Sequence, residues 1–131
     1  MSGWSSADRQ ERDDMNMGTE QIGSVTVVEP LIDTLDAGNA EAFKEAMRPL
    51  IDARARVVFD LNRLSFIDSS GCGALLNCYK QVQEIGGEIA FCQVREPVRT
   101  VLELIRLNRL IPFFDAPETA AAALEPEASD S

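Results

Sequence analysis

Six consecutive residues, Asp68-Ser69-Ser70-Gly71-Cys72-Gly73, bring together a carboxylate, two hydroxyls and a thiol, with glycines between them. They follow the link Leu64-Ser65-Phe66-Ile67, which itself follows a strand expected over Arg56-Val57-Val58-Phe59-Asp60-Leu61, and they lead into a helix expected to start at Gly73. A strand-to-helix junction offers free backbone N–H groups and the positive end of a helix dipole, and both attract an anion. The chemistry within reach is helix capping, anion binding, thiol redox or the acceptance of a phosphoryl group.

Each of the four has a physical case. Asp68 or Ser69 can cap the helix while Gly71 and Gly73 allow close helix–sheet packing, and a cap of this kind stabilises by about 1 kcal/mol. A nucleotide phosphate loop is weakly supported, because the Gly-x-Gly has no third glycine and no Gly-Lys-Ser/Thr, and Asp68 would repel the anion. A redox role for Cys72 draws on the helix N-terminus, which lowers a thiol pKa, but no resolving cysteine stands at a suitable spacing. In the fourth case a serine is the substrate of a kinase. A phosphoserine carries about −1.5 to −2 charges, which the helix dipole and free N–H groups let the fold tolerate, while the same charge beside Asp68 alters the docking surface.

The elements that must position this junction are legible in the apolar pattern. Ile22 to Val28 reads as one strand, or two broken near Gly23-Ser24. Asp36-Ala37-Gly38-Asn39 offers helix-start chemistry ahead of Ala40, Phe43, Met47 and Leu50/Ile51 at helical spacing, with Pro49 loosening the last turn. Ala74, Leu75, Cys78, Tyr79, Val82 and Ile85 form the apolar stripe of the helix after the junction, which Gly86-Gly87 ends. Tyr79 reads as core edge and Lys80 as solvated face. Glu88 to Val94 reads as a strand, Pro97 to about Asn108 as a helix, Ile111 to Phe114 as a short edge strand, and Glu118 to Leu124 as an alanine-rich helix. Alternating strands and helices predict an α/β fold with a mostly parallel or mixed sheet of four to five strands and helices packed mainly on one face. The other face is expected to be partly open. The predicted organisation is a flexible tail over 1–18, one domain over 19–125 and an acidic tail over 126–131.

Composition narrows the function. The net charge of −10 is concentrated at the ends, since residues 1–19 carry four acids against two bases and residues 116–131 four acids and no base. Nucleic-acid binding, which needs clustered Lys and Arg, is disfavoured. The polar opening Met1-Ser2-Gly3-Trp4-Ser5-Ser6 does not resemble a signal peptide, and no run is long enough to span a bilayer, so a cytoplasmic protein without membrane association is expected. Cys72, Cys78 and Cys92 lie among apolar residues and read as reduced thiols. The chain has no histidine, which removes Ser–His and Cys–His catalysis and His-ligated zinc, and Lys80 is the only lysine near the junction in sequence. No catalytic residue, metal or cofactor is expected.

The segment Phe66-Ile67-Asp68-Ser69-Ser70-Gly71, continuing through Tyr79-Lys80-Gln81 and Ile85-Gly86-Gly87-Glu88 to Cys92, resembles the anti-sigma-factor antagonists, bacterial STAS-domain proteins of partner-switching pathways. The resemblance covers about residues 20–124. It implies a small STAS-type domain in which Ser69, directly after Asp68, is phosphorylated, Ser70 takes the neighbouring Ser/Thr place, and Asp68, Asp36, Gly71 and Cys72 belong to the site-shaping and partner-binding set. Asp33-Thr34-Leu35-Asp36 stands where the family has Gly-Glu-Leu-Asp, so the acid at Asp36 is kept while Asp33 and Thr34 depart. Cys72 stands where leucine is common. By this resemblance the unphosphorylated chain binds an anti-sigma factor that is an ATP-dependent serine kinase and frees the sigma factor. Phosphorylation of Ser69 releases it, and a PP2C-like phosphatase restores it. The chain would be a substrate and ligand, not an enzyme, and a monomer or weak dimer. The alternative within the same group is a non-switching scaffold or a transport-complex accessory subunit.

Overall fold

The computed structural model describes residues 16–51 and 55–126. Strands β1 (Met17–Ile22) and β2 (Val25–Pro30) form an antiparallel hairpin across the Gly23-Ser24 turn, so the stretch is two strands broken at Gly23-Ser24, and the first begins at Met17, ahead of the expected start at Ile22. Met17 and Gly18, expected in the flexible tail, are therefore part of the sheet. The rest of that predicted tail up to residue 15, and residues 127–131 of the acidic one, lie outside the described residues.

After the two-residue strand β3 (Thr34–Leu35) comes helix α1 (Ala40–Met47), which tightens into a 3-10 turn at Arg48–Leu50 where Pro49 cannot donate to the α-helical ladder. Strand β4 (Arg56–Asp60), the short β5 (Phe66–Ile67), helix α2 (Ser69–Glu84) and strand β6 (Glu88–Cys92) follow. Gly86, at φ +77, makes the turn between α2 and β6. Helix α3 (Glu96–Leu104), a 3-10 turn at Leu107–Arg109, strand β7 (Phe113–Phe114) and helix α4 (Pro117–Leu124) complete the chain.

The main sheet runs β1-β2-β4-β6-β7, with β2, β4, β6 and β7 parallel and β1 antiparallel at one edge. Val57, Val58 and Phe59 fill the centre of β4 and are fully buried, as a continuous apolar run in a central parallel strand should be. Helices α1, α2 and α3 cover one face. There an aromatic row crosses the layer from Phe43 through Phe59 and Phe91 to Phe113, with successive ring centroids 5.9, 5.8 and 5.4 Å apart.

The opposite face is not open at its centre. Ala120, Ala121 and Leu124 of α4 pack on Val25, Val27, Val58, Ala90 and Cys92 in a second apolar cluster. The small side chains Ala90 and Cys92 beneath two alanines let this helix lie close to the sheet. Glu125 then fastens its end, accepting hydrogen bonds from the Ser24 N–H at 2.8 Å and the Ser24 hydroxyl at 2.9 Å.

Candidate functional site

The junction is built by a small parallel ladder separate from the main sheet. Thr34 pairs with Phe66 and Leu35 with Ile67, and the Asp33 carbonyl accepts from the N–H groups of Ser65 and Phe66 at 2.8 and 3.2 Å. The ladder ends where the Asp68 N–H donates to the Leu35 carbonyl at 3.2 Å. It brings the loop at 36–39, more than thirty residues earlier in the chain, against the start of α2.

Asp68 joins the two. Its backbone is extended, and its Oδ1 accepts from the Gly71 N–H at 3.0 Å, so Asp68 is the N-cap. Its Oδ2 accepts from the Ala37 N–H in the opposite loop at 3.2 Å. The cap fixes the helix start at Ser69, four residues before the expected Gly73. The glycines are inside the helix because the cap and the tertiary contact offset their poor helix propensity.

The loop is held by its own side chains. Asp36 Oδ1 accepts from the Gly38 N–H at 2.9 Å. Asn39 Oδ1 accepts from the Asp36 N–H at 2.9 Å, while its Nδ2 donates to the Thr34 carbonyl at 2.9 Å. The expected helix-start group thus acts as a loop brace, and Asn39 makes no side-chain cap for α1. Asn39 escaped the sequence reading as a site residue. Its signal is the Asp-x-x-Asn spacing of a side-chain-braced turn.

Ser69 and Ser70 occupy the first two helical positions and are exposed. Their N–H groups belong to the orphan donors of a helix N-terminus, and the Gly71 donor is already taken by Asp68. An anion on the Ser69 hydroxyl would therefore meet the positive end of a 16-residue helix. Asp36 and Asp68 are half-buried at the same place.

Gly71 and Cys72 are buried and offer no surface to a partner. Gly71 shapes the site through close contact with Leu35, while Cys72 turns into the core at 7% exposure. Burial pushes its thiol pKa up, and the Asp68 charge pushes it further, which opposes the lowering a helix N-terminus would give. Burial and the Asp68 charge both disfavour a reactive thiolate at Cys72. Cys78 and Cys92 are also free and buried.

Beside the serines, α1 and α2 flank a groove of 410 Å³ whose lining includes Ala37, Lys44, Ser70, Gly73, Asn77 and Lys80. The fold adds Lys44 to Lys80 at this end of the molecule, a proximity that sequence distance conceals. Tyr79 is half-buried against the core and Lys80 is exposed, as the apolar stripe predicts. Among the described residues no group of three or more His, Cys, Asp or Glu side chains is placed to hold a metal ion, and no helix is long and apolar enough to cross a membrane.

A family model described as STAS domain matches residues 16–120. The chain is 34% identical over 93 residues to the anti-sigma F factor antagonist of Paenibacillus polymyxa, a match covering 70% of this chain and 80% of the relative. An anti-sigma factor antagonist from Mycobacterium paratuberculosis has a similar structure, with a TM-score of 0.70 at 23% identity over 86% of this chain and 96% of that one. The Bacillus cell fate determinant SpoIIAA in its phosphorylated form superposes with a TM-score of 0.63 at 21% identity, over 84% of this chain and 100% of that one. At such identities the two structures speak to the fold alone.

Proposed function

The chain belongs to the STAS domain family, and on that premise we propose that it is an anti-sigma factor antagonist controlled by phosphorylation of Ser69. Unmodified, it binds an anti-sigma factor that is also an ATP-dependent serine kinase, and so frees the sigma factor. Phosphoryl transfer to the Ser69 hydroxyl ejects it, and a PP2C-like phosphatase returns it to the binding state. The chain acts as substrate and ligand, and the nucleotide and metal chemistry belongs to the kinase.

One observation carries this reading. Asp68 spends both carboxylate oxygens on backbone N–H groups, one in α2 and one in the facing loop, and leaves the next residue, Ser69, exposed at the first helical position. A kinase can reach that hydroxyl without unfolding anything. The phosphate that results is tolerated by the helix end, yet it places about two negative charges beside Asp68 and Asp36 on a docking surface. A few kcal/mol of desolvation and repulsion would change affinity by orders of magnitude.

The test is to map phosphate by tandem mass spectrometry on the protein purified from its host, and to compare wild type with Ser69→Ala. The reading expects phosphate on Ser69 in part of the wild-type population and constitutive retention of an anti-sigma factor by the alanine variant. A peptide that stays unmodified under every growth and stress condition would favour a non-switching scaffold.

A further inference from the structure

Among the described residues four large apolar side chains stay exposed, and three of them, Leu104, Ile105 and Leu110, fall within seven residues. Leu104 ends α3 at 76% exposure, and Ile105 and Leu110 flank the 3-10 turn that follows. The fold does not need them outward. Leu107 and Ile111 are the buried anchors of this turn, which is closed by the Leu110 and Ile111 N–H groups donating to the Leu107 carbonyl at 3.0 and 2.9 Å. Single exposed apolar residues are ordinary, but three on one hydrogen-bonded turn mark a surface that something covers.

Arg106 sits among them at φ +65, in the left-handed region where glycine is the usual residue after a helix. The other non-glycine residue at positive φ, Gln93, uses its side chain to hold both oxygens of the buried Asp60 at 3.0 Å. Arg106 is exposed and pairs with no carboxylate among the described residues, and the same holds for Arg109. The acids of this stretch do not neutralise them. Glu103 is taken by Arg99 at 3.5 Å, and Glu96 stands at the far end of α3. In a chain of net charge −10, the apolar surface is edged by two arginines that no described carboxylate meets.

We infer that Leu104, Ile105 and Leu110 form an intramolecular docking surface for the chain's own segment 1–15, with the Trp4 indole on the leucines and the carboxylates of Asp8 and Glu11 meeting Arg106 and Arg109. That segment has the matching chemistry: the chain's only tryptophan, and four acids against two bases. Residues 127–131 are acidic too, but they hold no large apolar side chain. Reach is sufficient. The Asn16 carbonyl accepts from the Leu31 N–H at 3.0 Å, two residues before Asp33, which holds Phe66 of β5, and β5 lies against α3. The twelve residues from Trp4 to Asn16 span up to about 40 Å when extended, against about 19 Å across a five-stranded sheet. The inference stands independently of the antagonist reading.

Because Trp4 is the only tryptophan, its fluorescence reports the segment directly. The measurement is emission and acrylamide quenching of the full chain and of Leu104→Asp, Leu110→Asp and Arg106→Gly, across a dilution series, with a thermal melt of each. Wild-type emission should be shifted to the blue of tryptophan in water, with quenching about threefold weaker than in the two aspartate variants. Arg106→Gly relieves the positive φ, so it should melt at or above the wild-type temperature and yet be quenched more strongly. Wild-type emission equal to that of free tryptophan overturns the inference. So does a shielded Trp4 that stays shielded in Arg106→Gly and in those aspartate variants that still fold. Shielding that disappears on dilution, with the sedimentation mass of two chains before it, assigns the surface to a second copy and overturns the intramolecular seat.

Discussion

Gly71 and the Leu35 carbonyl meet with no room for a carbon atom between them: a Cβ at Gly71 would overlap the carbonyl oxygen and stand 2.7 Å from Ile67 Cγ1. The obstacle on one side is backbone, which cannot rotate away. The start of α2 and the β3–β5 ladder are thus held at a separation that only glycine permits. Gly71→Ala should destabilise the domain by about 2 kcal/mol, within the range for overpacked sites. Urea unfolding would show a lower midpoint with an unchanged slope, and a midpoint equal to wild type would mean the ladder yields freely.

Asp68 has two partners that a neutral, short side chain cannot serve. Asp68→Ala removes the cap on Gly71 and the tie to Ala37. A lost cap costs about 1 kcal/mol, and the Ala37 tie should add a local effect. Amide hydrogen exchange at Ala37 and Gly71 should accelerate more than exchange in β4 or β6. Uniform acceleration across the domain would indicate a global loss instead of a released loop.

The buried thiols make stability fall in alkali. Cys78 is pushed up to about 12 by burial, against a small opposing effect of Lys44, and Cys92 to about 12 by burial and then by the charges of Asp60, Glu118 and Glu29. Cys72 is raised by burial and by Asp68. In the unfolded chain these thiols lose their protons near the ordinary value of 9.0, while the native state keeps them. The contribution of Cys78 and Cys92 is complete below that value and is lost as pH rises from there towards about 12, and that of Cys72 is lost in the same direction. Unfolding midpoints should decline through this window, and a Cys78→Ala, Cys92→Ala double variant should decline less. Native protein at pH 8 should react slowly with iodoacetamide.

The layered α/β fold could be read in the sequence because the continuous apolar run Val57-Val58-Phe59 and the helical period from Ala74 to Ile85 are patterns that tertiary packing reinforces. The position of the α2 start was obscured by Gly71 and Gly73, whose low helix propensity mimics a loop. The Asp68 cap and the contact with Leu35 override it. The two-residue strands Thr34–Leu35 and Phe66–Ile67 are too short to show any period, so the ladder itself is invisible in the pattern, and Asp36 is placed at the site by the family resemblance alone. Helix α4 reads only as a short alanine-rich helix with no stated place in the layers, yet Ala120 and Ala121 cover the second face because Ala90 and Cys92 leave them space. Lys44 is distant from Lys80 in sequence and shares its groove only because α1 packs on α2.

The central claim is that one phosphate at Ser69 decides partner binding. Its most direct test is the dissociation constant of the purified anti-sigma factor for unmodified chain and for chain carrying phosphate at Ser69 alone, the position verified by tandem mass spectrometry. The account predicts a loss of affinity of about a hundredfold or more on phosphorylation, with the circular dichroism spectrum and urea midpoint close to those of the unmodified chain. Equal affinity of the two forms would contradict it, and so would an affinity loss accompanied by unfolding.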